Sequence, residues 1–187
     1  MTLGGIIFLL VVAGLVVAIV AAYNKLVGLR QRSAEAWSDI DVQLKRRTDL
    51  VPNLVETVKG YAAHERTTLD QVTRARGAAV SAQTPEARAQ AENALTGALR
   101  QLFALAEAYP DLKANQSFRE LQASLGEIED TIQNSRRYYN AVVRDLNTSI
   151  ESFPSNLIAS FGRFAKRQYF ELDRPEDRQV PRVSFGS

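Results

Sequence analysis

From Met1 to Asn24 the chain carries no charged side chain, and Leu3 to Tyr23 is apolar apart from its glycines. As an α-helix that run is about 30 Å long, which matches the hydrocarbon thickness of a bilayer. From Lys25 onward the sequence turns charged, polar and helix-periodic. The pattern divides the chain into a transmembrane anchor over residues 1–24, a helical body over 25–170 and a polar, loosely ordered tail over 171–187.

A cleaved signal peptide is the competing reading of the apolar run. It wants a basic n-region, an apolar stretch of roughly 7–15 residues and small residues before the cut. Met1–Gly5 holds no Lys or Arg, and Ile6 to Ala22 is longer than such a stretch. Val20-Ala21-Ala22 is the one acceptable cleavage sequence. An uncleaved single-pass span is the expectation. With no cysteine anywhere, the anchor is not a lipidated one, and disulfide or thiolate chemistry is excluded.

About 160 residues follow the span, enough for one domain with its own core. The formal net charge is only +2, so no strong nucleic-acid footprint is implied. Three segments repeat apolar residues at three-then-four spacing. Trp37, Ile40, Leu44, Val51, Leu54, Val58 and Tyr61 form the first, with Arg47 as its polar exception and Val72 and Ala75 extending it. Leu95, Ala98, Leu102, Leu105 and Tyr109 form the second. Phe118, Leu121, Leu125, Ile128, Ile132, Tyr139, Val142, Leu146 and Phe153 form the third, interrupted by Ser135. Each series puts an apolar stripe on one helix face, as an antiparallel bundle needs. No strand pattern of comparable length occurs. The fold class is therefore all-α: a single-pass transmembrane helix followed by an antiparallel bundle of three to four long helices, with Trp37 as a buried core anchor.

The punctuation agrees. Thr84-Pro85 reads as an N-cap with proline at the first helical position. Tyr109-Pro110 closes the second segment, because the residue before proline is pushed out of the helical region. Ser117 with Glu120 has capping-box spacing, and a start nearer Asn115 is equally consistent. Phe153-Pro154 ends the third segment. Pro52 allows two outcomes. It either breaks the first segment into a hairpin near Thr48–Asp49, giving four helices, or kinks one helix and gives three.

The search for chemistry is negative. His64 is the only histidine, and Thr68 stands where a zinc-protease helix would need a second. Glycine-rich phosphate loops, nucleophile elbows and Glu-x-x-His metal pairs are absent from the sequence. Asp39 with Asp41, and Glu127 with Glu129 and Asp130, read as solvated helix surface, because residues two apart do not share a face. Lys45-Arg46-Arg47 reads as solvated or ion-paired, and Arg136, Arg137, Tyr138, Tyr139 and Asn140 as packing around Tyr139. No catalytic residue, cofactor site or metal site is assigned. Phe161, Phe164, Lys166, Arg167, Tyr169 and Phe170 mix rings with cations, which suits a membrane interface, a partner groove or burial at the end of the bundle.

Several strings resemble the LemA family: Tyr23-Asn24-Lys25-Leu26-Val27, Ala36-Trp37, Leu44 through Val55, and Val58-Lys59-Gly60-Tyr61-Ala62 with His64-Glu65. Leu112-Lys113-Ala114-Asn115, Arg137 with Tyr139-Asn140, Asn147, Ser152 through Asn156 and Tyr169-Phe170-Glu171 continue the likeness, which runs from about Tyr23 to Glu171. The resemblance implies a bacterial membrane-anchored helical bundle with no established enzymatic activity. Its relatives include one among magnetosome-forming proteins.

Two functions fit these readings. The first is a non-catalytic membrane-anchored scaffold or adaptor whose partners are the lipid bilayer, copies of itself and other proteins, with no nucleic acid. Gly14, Ala18 and Ala22 place a small residue every four positions along the span, a face that permits close helix approach. The second is a carboxylate-based enzyme with a site assembled across the bundle helices. For sidedness, Lys25, Arg30 and Arg32 follow the span, which favours the inner membrane with the bundle in the cytoplasm. Family members with a lipoprotein-type cysteine imply the opposite, exported side.

Overall fold

The computed structural model describes residues 2–171, and among these every regular element is an α-helix. They are α1 (Leu3–Lys59), α2 (Arg66–Ser81), α3 (Pro85–Ala106), α4 (Pro110–Ala114), α5 (Gln116–Glu151) and α6 (Ser155–Phe161). The tail anticipated over 171–187 lies, from residue 172, outside the described residues. The helices build two compact units. Among the described residues, one comprises residues 2–42 with Ile132–Tyr169, and the other Gln43–Thr131 with residues 170–171. Helices α1 and α5 contribute a stretch to each.

In the first unit, Leu26 and Leu29 of α1 pack with Leu146 of α5, Ala159 of α6 and Phe164, flanked by Val27, Ile150 and Ile158. Further along α1, Trp37 meets Tyr139 with ring centroids 5.5 Å apart. Trp37 is half-buried rather than enclosed, and its neighbour Ala36 is 1% exposed. The reason is phase. The buried positions of α1 include Leu26, Leu29, Ser33, Ala36, Ile40, Leu44, Arg47, Val51, Leu54 and Val58, successive members standing three or four residues apart. Trp37 stands one residue off it, about 100° around the helix. Phe153, anticipated on the core stripe of α5, is 80% exposed, because α5 ends at Glu151 before reaching it.

In the second unit, α1 from Gln43, then α2, α3, α4 and the first part of α5 surround a core that includes Val51, Leu54, Val58, Leu69, Val72, Leu95, Leu102, Leu112, Phe118 and Leu125. Each such side chain contributes about 1.5–3 kcal/mol on leaving water. Helix α1 runs through Pro52 without a hairpin. The four long segments arise from a turn at residues 60–65, where the first apolar series had been read as continuous into Val72. Tyr61 sits in that turn, exposed, and its hydroxyl accepts a hydrogen bond from Asn115 at 2.9 Å.

Two properties let Pro52 stay inside α1. Its ring lies on the exposed face. The carbonyl of Thr48, which loses its i+4 donor to the proline, accepts a hydrogen bond from Arg76 Nε of α2 at 2.8 Å. The helix starts follow local chemistry. Thr84 accepts from Ala87 N at 3.2 Å with Pro85 behind it, and Asn115 rather than Ser117 caps α5, accepting from Phe118 N at 3.0 Å.

Candidate functional site

The apolar stretch of α1 is the only described helix long and apolar enough to cross a membrane, and its most apolar window is 0% buried by the rest of the chain. Gly14 and Ala18 are exposed and Ala22 is half-buried. A Cβ at Gly14 would meet nothing within 4 Å. The small-residue face of the span is thus open toward lipid or another helix.

Where the span ends, the chain returns to it. Tyr23 stands edge-on to Phe164, ring centroids 5.6 Å apart, and the guanidinium of Arg30 lies 5.2 Å from the centre of the same ring. Gly162 makes this possible: a Cβ there would come 2.6 Å from the Phe164 ring. Asn147 holds the following strand of chain by both amide atoms, donating to Arg167 O at 2.8 Å and accepting from Arg167 N at 2.9 Å. Tyr139 donates its hydroxyl proton to Gln168 O at 2.9 Å, and Lys166 pairs with Glu151. The six residues anticipated as one contact surface therefore separate. Phe164 and Phe170 are buried, Arg167 is half-buried, and Phe161, Lys166 and Tyr169 are exposed.

The second unit buries charge. Arg47 is 1% exposed and reaches Glu92 and Thr96 on α3 and Glu129 on α5. Its Nη1 donates to Thr96 Oγ1 at 3.0 Å and to Glu129 Oε2 at 2.7 Å, and its Nη2 binds Glu92 Oε2. The other carboxylate oxygen of Glu92 has Arg88 Nε at 3.7 Å, one turn back along α3. Two guanidinium groups thus face two carboxylates. Arg47, expected to be solvated or ion-paired, is ion-paired and buried. The expectation that Glu129 is solvated helix surface is corrected by its pairing with Arg47, whereas Lys45, Arg46, Asp39, Asp41, Glu127 and Asp130 do lie exposed. The signal was in the sequence: Arg47 occupies a stripe position, and Glu92 precedes Leu95 by three. Sequence reasoning had also passed over Arg88, Thr96 and Arg76.

Chemically this cluster is a clamp. Glu92 is 0% exposed, with Oε2 held by Arg47. The nearby groove is an open trough of about 420 Å³ on the α1–α5 surface, lined by Gln43, Arg46, Asp49, Leu50 and Glu127 among others. His64 is exposed. Among the described residues no three His, Asp or Glu side chains group as metal ligands. At the far end of this unit, Tyr109 donates to Glu65 Oε1 at 2.9 Å, and that bond raises the phenol above its ordinary value of 10.0.

Comparison with known proteins gives the same architecture a lineage. A model described as the LemA family matches residues 36–185. "Magnetosome protein MamQ 2" of Paramagnetospirillum magneticum is 25% identical, covering 89% of this chain and 71% of that protein. "Protein LemA" of Metamycoplasma hominis is 28% identical, covering 73% of this chain and 63% of that protein. "Magnetosome protein MamQ" of Magnetospirillum gryphiswaldense is 25% identical over 79% of this chain and 64% of its own length.

Proposed function

The chain belongs to the LemA family, and from that premise we propose that it is a non-catalytic scaffold, held in the bilayer by α1 and recruiting copies of itself and other proteins. The observation that carries this reading is the use of one helix for both purposes. The most apolar window of α1 lies uncovered by the chain's own body, while the same α1 goes on to supply core residues to each unit. The buried Glu92 and half-buried Glu129 support a structural role, since Arg47 pairs with both.

Self-association is assigned to the Gly14, Ala18 and Ala22 face, and confinement to a membrane plane raises the effective concentration of that face. The chain holds no cysteine, so single cysteines at Ala18 and at Val16 test it cleanly in membranes. Cross-linking through position 18 but not 16 is the expected result. Absence of cross-links at both positions, with a monomeric mass at every detergent concentration, would remove self-association from the proposal.

The location proposed is the inner membrane with the bundle in the cytoplasm, on the strength of Lys25, Arg30 and Arg32 after the span. A cysteine at exposed Val80 should resist an impermeant thiol reagent in intact cells and react after lysis. Reaction in intact cells would place the bundle on the opposite side.

A further inference from the structure

Outside the span, the two most exposed large apolar side chains among the described residues are Phe161, at 90%, and Phe153, at 80%. Leu157, 54% exposed, stands between them at four-residue spacing. Leu157 and Phe161 lie one turn apart on α6, and Phe153 stands outside that helix, two residues before its first residue Ser155. Three bare apolar side chains so near one another in the chain would be a liability in water.

Their position says what covers them. The inner side of α6, through Ala159 and Ile158, packs on Leu26 and Leu29 of α1. Those two leucines lie about 5 and 9 Å along the helix beyond Tyr23, where the apolar run ends, at 1.5 Å per residue. A hydrocarbon core of about 30 Å inside a bilayer of about 40–45 Å leaves headgroup layers about 5–7.5 Å deep, so Leu26 lies within that layer and Leu29 just past its outer edge. Phe164, edge-on to Tyr23, fixes the segment that follows α6 at the same level. Exposed Lys25, Arg30 and Arg163 accompany it there. A short apolar face with exposed cations in the neighbouring stretches of chain has the chemistry of an interfacial anchor.

We infer that Phe153, Leu157 and Phe161 dip into the bilayer interface beside the span, so that α6 is a second, non-spanning membrane contact. The proposal rests on α1 being the transmembrane anchor. It differs from the surface suggested by the ring-and-cation pattern of residues 161–170, because Phe164 and Phe170 are buried and Phe153 and Leu157 take their place.

The test uses the full-length chain in vesicles of phosphatidylethanolamine and phosphatidylglycerol, with a nitroxide on a single cysteine. Positions 161 and 153 report on the proposal, Val80 on exposed bundle surface, and Val12 on the span. Labels at 161 and 153 are expected to lose access to a water-soluble nickel relaxant and to gain access to oxygen, unchanged when the protein is diluted with lipid. Water access equal to that at Val80 would overturn the inference while Val12 still reads as acyl core. Shielding that disappears on dilution, or spin–spin coupling at 161, would assign the face to a second copy and overturn it as well. A Val12 label outside the acyl core would refute the anchor itself.

Discussion

Arg76 donates from Nε to the main-chain oxygen of Thr48 at 2.8 Å, and that oxygen is the one Pro52 leaves without a helical donor. A cation from α2 thus completes the backbone of α1. Removing Arg76 leaves a half-buried carbonyl unpaired, so Arg76→Met should cost about 1–3 kcal/mol of unfolding free energy in detergent. Pro52→Ala restores the missing N–H on an exposed face and should stabilise by about 1–3 kcal/mol. In the double variant the loss from Arg76→Met should shrink. Strictly additive effects in the cycle would show that the two residues do not act on one carbonyl.

Among the described residues, Arg47 is the cation hydrogen-bonded to the fully buried Glu92. Arg47→Met strands that carboxylate and should cost about 3–5 kcal/mol. Arg47→Met combined with Glu92→Met replaces the pair by apolar volume and should recover most of the loss. Urea unfolding of the three proteins decides it, and a double variant no more stable than the single one would contradict the clamp.

Tyr109 makes one part of the second unit sensitive to alkali. Its phenol is raised by the hydrogen bond to Glu65, then by desolvation and by the Glu65 charge. A folded pKa above the unfolded one stabilises fully below the unfolded value near 10, and that contribution fades as pH rises through the folded value. Glu65→Gln should move the tyrosinate absorbance titration of Tyr109 down toward its ordinary position. Tyr109→Phe should flatten the corresponding part of the stability profile. A titration unmoved by Glu65→Gln would refute the assignment.

Gly162 is kept small by Phe164. With a Cβ 2.6 Å from that ring and 3.2 Å from Ile158 O, Gly162→Ala must displace the ring or the end of α6. The expected cost is about 1–3 kcal/mol. Loosening of the Phe164–Tyr23 contact, read as increased motion of the Tyr23 ring by NMR, should accompany it. A variant with wild-type stability and an unmoved ring would show that the site yields freely.

Much of this protein follows from residues close in sequence. The uncharged run, the three-then-four stripes and the caps at Thr84 and Asn115 act within one or two helical turns, so the sequence alone determined the anchor, the all-α class and most core positions. It did not distinguish a kink from a hairpin at Pro52, because the deciding donor, Arg76, lies 28 residues away. Nor did it mark Arg47 as interior or Glu129 as its partner, since their pairing spans 82 residues and a charge on a stripe reads equally as a fault in the pattern. The turn at residues 60–65 was hidden because the apolar phase continues past it, and Trp37 misled because it and Ala36 both continue the spacing of Ile40 and Leu44. Helix periodicity specifies a face from neighbours alone. Which charge that face can bury, and which of two adjacent residues lies innermost, depended on the side chains that tertiary packing brought opposite.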